Sequence, residues 1–122
     1  MAEHGADDFT IPDSATLLDA VDVITHNHSR CAITIDGDKV TGIISEGDIM
    51  RALLKGADIH APLASFTNPS FKFLESRDLA AALVLFRQHG ISLVPVLDKN
   101  FALIDVVLLV DVLEKASLSG DA

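Results

Sequence analysis

Val40-Thr41-Gly42-Ile43-Ile44-Ser45-Glu46-Gly47-Asp48-Ile49-Met50-Arg51-Ala52-Leu53-Leu54-Lys55-Gly56 reads as a strand that runs straight into a helix. Residues 40–44 are mostly apolar and β-branched, as a buried strand requires. Ser45-Glu46-Gly47 turns the chain, and Ile49, Leu53 and Leu54 then fall on one helical face. Gly56 stands where a helix stop belongs. Such a junction leaves backbone N–H groups, a hydroxyl and a carboxylate at one edge of the fold, where anions and sugars are often held.

Upstream, residues 1–8 are acidic and polar and predict a disordered lead. Phe9-Thr10-Ile11-Pro12 reads as extended. Asp13 or Ser14 can cap a helix that carries Leu17, Leu18, Val21 and Ile24 on one stripe and fades at residues 26–29. Residues 31–35 predict a strand, and the turn Asp36-Gly37-Asp38-Lys39 pairs it with residues 40–45 as a hairpin. Residues 57–69, with Pro62 and Pro69, form a connector.

The order then repeats. Phe71-Lys72-Phe73-Leu74 is extended, and Ser76 or Asp78 opens a helix bearing Leu79, Ala82, Leu83 and Phe86, closed by Gly90. Residues 93–97 and 102–107 read as strands about the turn Asp98-Lys99-Asn100, and a last helix covers roughly residues 110–116. Ser14 and Ser76, Leu17 and Leu79, Ile24 and Phe86, and Asp36 and Asp98 each lie 62 residues apart. Asp48 and Asp111 lie 63 apart, which a one-residue longer turn explains. The chain thus reads as α/β (α+β), two β-α-β-β-α units sharing one core. They cover residues 9–56 and 70–116, with a tail at 117–122. Two such units usually pack about a pseudo-two-fold axis with equivalent clefts between them.

A chain of 122 residues that is 49% hydrophobic can bury a core without staples, and its size suits one domain. Six Phe are its only aromatics, so Leu, Val, Ile and Ala must do the packing. Eighteen acidic against nine basic residues leave a net charge of −9, which opposes nonspecific contact with nucleic acid or an acidic membrane. A small nucleotide is not excluded, because it responds to the few groups beside it. Cys31 is the one cysteine, which rules out an intrachain disulfide and suits a reducing compartment. The polar start is unlike a secretory signal, and Asp105 and Asp111 break the longest apolar runs. These features predict a soluble cytoplasmic protein.

Paired units of this length and order resemble a tandem CBS-domain (Bateman) module over residues 9–116. The resemblance is strongest at Gly42-Ile43-Ile44-Ser45-Glu46-Gly47-Asp48-Ile49 and at Ile91-Ser92-Leu93-Val94-Pro95-Val96-Leu97-Asp98. Residues 47–56 are also similar to the CBS pair ahead of sugar-phosphate nucleotidyltransferases. The resemblance implies an adenine nucleotide (AMP, ADP, ATP or a related adenosyl compound) as regulatory ligand in the cleft between the two repeats. It implies no catalytic cofactor, a homodimer formed through the helices, and a regulated enzyme or transporter as partner. By the same resemblance Asp48 accepts from ribose hydroxyls, Ser45 lies near ribose or phosphate, and Ile43 lines the wall. Ser29 and Arg30 face the phosphates, Ile91, Ser92 and Leu93 meet the base, and Thr67 is a looser match. The second unit departs from the pattern, with Asp105 for Gly42, Leu108 for Ser45 and Val110 for Gly47, so only the Asp48 cleft is expected to be competent.

Plainer readings stand beside these. Ser45-x-x-Asp48 is also an N-cap pair. Arg30 also fits a solvated side chain or a surface ion pair. His26 and His28 lack a third ligand for a metal, and His60 and His89 read as ordinary loop and helix-end residues. Cys31 reads as a small core residue. Asp105, inside an apolar strand, must face an edge, a partner or solvent. No nucleophile–base pair or phosphate loop points to an enzyme. The alternative function is a dimerisation or scaffold module that binds no small molecule.

Overall fold

A computed structural model of the chain describes residues 5–119. It divides into two compact units, Met1–Phe71 and Lys72–Ala122. The first contains β1 (Thr10–Pro12), α1 (Leu17–Asn27), β2 (Cys31–Asp36), β3 (Lys39–Ser45) and α2 (Glu46–Leu54). The second contains α3 (Leu79–His89), β4 (Leu93–Leu97), β5 (Leu103–Leu108) and α4 (Leu109–Ser119). One 3-10 turn, Ala6–Phe9, occupies part of the stretch expected to be a disordered lead; Phe9 at its end is buried, which anchors it. Residues 1–4 and 120–122, which belong to the expected lead and tail, lie outside the described residues.

In the first unit β1 runs parallel to β2, and β2 pairs antiparallel with β3. The second unit repeats this with β4 antiparallel to β5. Its counterpart of β1 shrinks to one parallel bridge, Leu74 with Val96, so the extended piece expected at residues 71–74 is not a strand. The repeat reaches fine detail. The hairpins bulge at Thr34/Ile35 and at Val96/Leu97, and α1 and α3 both end in a left-handed residue, His28 (φ 59°) and Gly90 (φ 64°). Each of these pairs is 62 residues apart, as are the true N-caps, Thr16 and Asp78. Thr16 caps α1 in place of the expected Asp13 or Ser14, because its hydroxyl and Asp19 exchange hydrogen bonds with each other's backbone N–H.

Each unit has a buried apolar cluster. Ile11, Leu17, Ile24, Ile44, Ile49 and Leu63 are among the first, and Phe86, Val94, Val96 and Val107 among the second. The buried face of α2 differs from the expected one. Ile49 and Ala52 point inward, three residues apart, while Leu53 is at the edge and Leu54 is 81% exposed. The small Ala52 shares the inner cluster with Leu63, which the 3-10 turn Leu63–Phe66 brings in from the connector.

That connector is held tightly. Asn68 exchanges backbone hydrogen bonds with Ile43, and a Cβ at Gly42 would lie 3.0 Å from the Asn68 carbonyl oxygen. Gly42 is therefore the gap through which the connector closes on β3. Gly42→Ala should lower stability to chemical denaturant by about 1–3 kcal/mol, the usual cost of overpacking. Gly5→Ala, with nothing within 4 Å of the added carbon, should leave it unchanged.

Candidate functional site

The site is built on the junction of β3 and α2. Ser45 has extended backbone (φ −107°, ψ 166°) and serves as the N-cap of α2. Its N–H donates to Asp48 Oδ2 at 2.9 Å, and its Oγ accepts from the Asp48 N–H at 3.1 Å. The plain capping role of this pair is thus real, and the same box at Thr16–Asp19 shows that it needs no ligand. What sets Asp48 apart is its other oxygen. Oδ1 accepts from Arg51 Nη2 at 2.7 Å, and the Asp48 side chain keeps 23% of its surface exposed.

The loop entering β2 lies against this junction. The Glu46 N–H donates to the Arg30 carbonyl oxygen at 2.9 Å, and Cys31 pairs with Ser45 across the sheet. Arg30 adopts φ 71°, and its exposed guanidinium lies 3.8 Å from Glu46. The surface-ion-pair reading of Arg30 describes that contact. Ser29 is turned inward: its Oγ lies 2.8 Å from Asn27 Oδ1 and 3.1 Å from the Cys31 carbonyl oxygen. Ile43 is half-buried in β3, and Thr67 donates its hydroxyl to the Ala64 carbonyl oxygen at 3.1 Å. Ile91 and Ser92 lead into β4, which begins at Leu93, in the second unit; the Ser92 carbonyl accepts from the Leu109 N–H at 2.9 Å, repeating the Arg30–Glu46 contact.

Three residues were not singled out from sequence. Asn27 is buried, and its amide donates to the Asp8 and Cys31 carbonyls while its Oδ1 accepts from the Ser29 N–H, so it pins the loop that presents Arg30. Arg51 is the second, and its position three residues after Asp48 was the available signal. The third is Arg77. Its Nη1 lies 3.0 Å from Asp105 Oδ2 and 3.2 Å from the Val106 carbonyl, and its Nη2 lies 3.7 Å from Asp111 Oδ2. This partner explains an acid inside an apolar strand. Asp111 keeps half of the capping box, accepting from the Leu108 N–H at 2.9 Å, and Leu108 has no hydroxyl to return the bond.

A recess of about 220 Å³ opens beside Asp48, lined also by Arg51, Ala52, Lys55 and Phe66. A wider one, about 540 Å³, lies by the β4–β5 turn among Phe73, Leu97, Phe101 and Ile104. It contains none of the expected binding residues. Among the described residues no three His, Cys, Asp or Glu side chains gather as a metal centre, and no helix is long and apolar enough to cross a membrane.

Two copies of one hairpin-and-helix unit, each ending in a strand-to-helix acid, define a recurring class of module. The CBS domain family matches residues 6–55 and again residues 64–117, and the chain belongs to that family as a tandem pair. Curated relatives include uncharacterized proteins of two Helicobacter pylori strains, J99 and 26695, 31% and 30% identical over 108 residues. The match takes in 85% of this chain but 32% of each relative, so the chain spans about a third of their length. Among solved structures, a CBS domain protein from Pyrobaculum aerophilum complexed with AMP superposes with a TM-score of 0.78 at 21% identity, covering 97% of this chain and 95% of that one. A CBS domain pair/ACT domain protein from Thermotoga maritima gives a TM-score of 0.74 at 21% identity, covering 98% of this chain and all (100%) of that one.

Cys31 reports on the charge around the junction. Burial pushes its thiol up to about 11, and the nearby Asp48 and Glu46 carboxylates push the same way. A folded-state value above the ordinary 9.0 stabilises the fold at lower pH, and that contribution is lost as pH rises from about 9 to about 11. Equilibrium unfolding across that window should show stability falling with pH, and Cys31→Ala should flatten the fall. At neutral pH the thiol should resist alkylation in the folded protein and react readily in denaturant.

Proposed function

We propose that this CBS pair is a ligand-sensing regulatory module that binds an adenine nucleotide at the Asp48 end of α2. The observation that carries the reading is the part-exposed carboxylate of Asp48, fixed at a helix N-terminus and bordering a recess that also holds two cationic side chains. A carboxylate so held can accept from paired ribose hydroxyls without losing its cap, because each oxygen has two lone pairs. Arg30, exposed beside the same junction, adds a further cation on that side. The Pyrobaculum relative, complexed with AMP, supports the choice of ligand class. The module works by binding rather than catalysis: the ligand favours whichever arrangement of the protein binds it better, and so reports to a partner. That partner is an enzyme or transporter, and the likeness of residues 47–56 to the pair ahead of sugar-phosphate nucleotidyltransferases favours an enzyme of phosphorylated sugars. The module works in the cytoplasm as a homodimer, for which exposed Met50 and Leu54 on α2 and Val84 on α3 supply apolar helix surface.

A second reading, a dimerisation scaffold without a small ligand, is favoured by one observation: both Asp48 oxygens already have protein partners. Thermal unfolding with AMP, ADP, ATP and S-adenosylmethionine separates the two. Nucleotide binding predicts a dose-dependent rise in Tm, about 2.7 kcal/mol of stabilisation at a hundredfold excess over Kd. Asp48→Asn should abolish the ligand-dependent rise, and its own Tm should fall modestly through the weakened cap. Ser92→Val tests the share of the second unit in the same assay. A flat response with every nucleotide supports the scaffold.

A further inference from the structure

We infer that Arg51 and Lys55 form a phosphate subsite in the recess beside Asp48, and that Arg51 acts as its latch. This rests on the nucleotide reading above and assigns to that ligand the part of it that enters the recess. Arg51 and Lys55 are four residues apart at the C-terminal end of α2, and both line the recess with Asp48, Ala52 and Phe66. Two cations against one carboxylate leave the recess positive in a chain of net charge −9, so it selects an anionic group. Its volume, about 220 Å³, is below the roughly 300 Å³ that usually encloses a drug-sized ligand, so it fits one part of a nucleotide.

The present pairing makes the exchange inexpensive. The Asp48–Arg51 contact is an i,i+3 pair whose guanidinium is 65% exposed, and such pairs are weak and screened by salt. A phosphate offers the same guanidinium more charge and a bidentate geometry. As Arg51 turns to it, Asp48 Oδ1 is released to accept from the ribose. Gly47 leaves room for this movement, since a Cβ there would lie 3.2 Å from Arg51 Nη1. At the matching offset of 63 residues the second unit has Val110 for Gly47, Glu114 for Arg51 and Leu118 for Lys55, so the subsite belongs to the first unit.

Calorimetric titration of the full chain with ATP, AMP, adenosine and inorganic tripolyphosphate tests this, with Arg51→Gln and Lys55→Gln as variants. Both side chains are exposed, so the fold should survive. ATP should bind the parent more tightly than adenosine, and each variant should weaken ATP by about tenfold, the scale of one lost charged contact. Adenosine should change less than twofold. ATP binding equal in parent and variants, or adenosine weakened as much as ATP, overturns the subsite while leaving the nucleotide reading intact. Tripolyphosphate bound by the parent, lost in the variants and unaccompanied by any adenosine compound supports the anion recess and removes the nucleotide. Silence from all four compounds removes both.

Discussion

Two hydrogen bonds, running in opposite directions between Ser45 and Asp48, hold the first unit's strand and helix at a set angle. They satisfy donors that a helix start would otherwise leave without partners, which is costly where water is scarce. They also tie local geometry to the sheet. Ser45 is paired with Cys31, and the Glu46 N–H is held by the Arg30 carbonyl, so the register of β2 and β3 decides where the carboxylate points. The second unit keeps the backbone half of this arrangement, Leu109 to Ser92, and one of the two capping bonds, Leu108 to Asp111. The second unit thus keeps the junction with one capping bond where the first has two.

The two units neutralise their equivalent acids differently. Asp48 is met by Arg51 from its own helix, on a side chain that faces solvent and a recess. Asp111 is met by Arg77, which arrives from the segment before α3 and also binds Asp105 and a backbone carbonyl. The first arrangement is a single exposed pair that opens easily. The second is a network in which one arginine serves two acids and a backbone carbonyl. Asp105 takes the place of Gly42, the residue that in the first unit lets the connector approach β3. The difference at this position thus goes with a different partner for the acid.

Much of this was legible in residue order. The 62-residue offset, the hairpin at Asp36–Lys39, the left-handed Gly90 and the strand-to-helix run at 40–56 all depend on local chemistry: periodicity, turn residues and caps. Other features depend on contacts that sequence spacing does not encode. Thr16 won the N-cap over Ser14 because Asp19 stands three residues on and completes the box. Leu54 lies outside because the short α2 turns Ala52 toward Leu63 of the connector. Arg77 is 28 residues from Asp105 and 34 from Asp111, and only tertiary structure joins them. Asp48 was legible as a cap from its place three residues after Ser45. The structure makes it a cap and pairs its second oxygen with an exposed arginine, Arg51.

The central claim is that the junction at residues 45–51, and not its copy at 108–114, is where a nucleotide is read. Titration of the isotopically labelled chain with ATP, followed by backbone amide NMR, addresses it residue by residue. The account predicts saturable shifts centred on the Ser45, Glu46, Gly47 and Asp48 amides and on the Arg51 side chain, with Leu108–Asp111 amides unmoved. Spectra unchanged at saturating ATP, or shifts centred on residues 108–111, would contradict it.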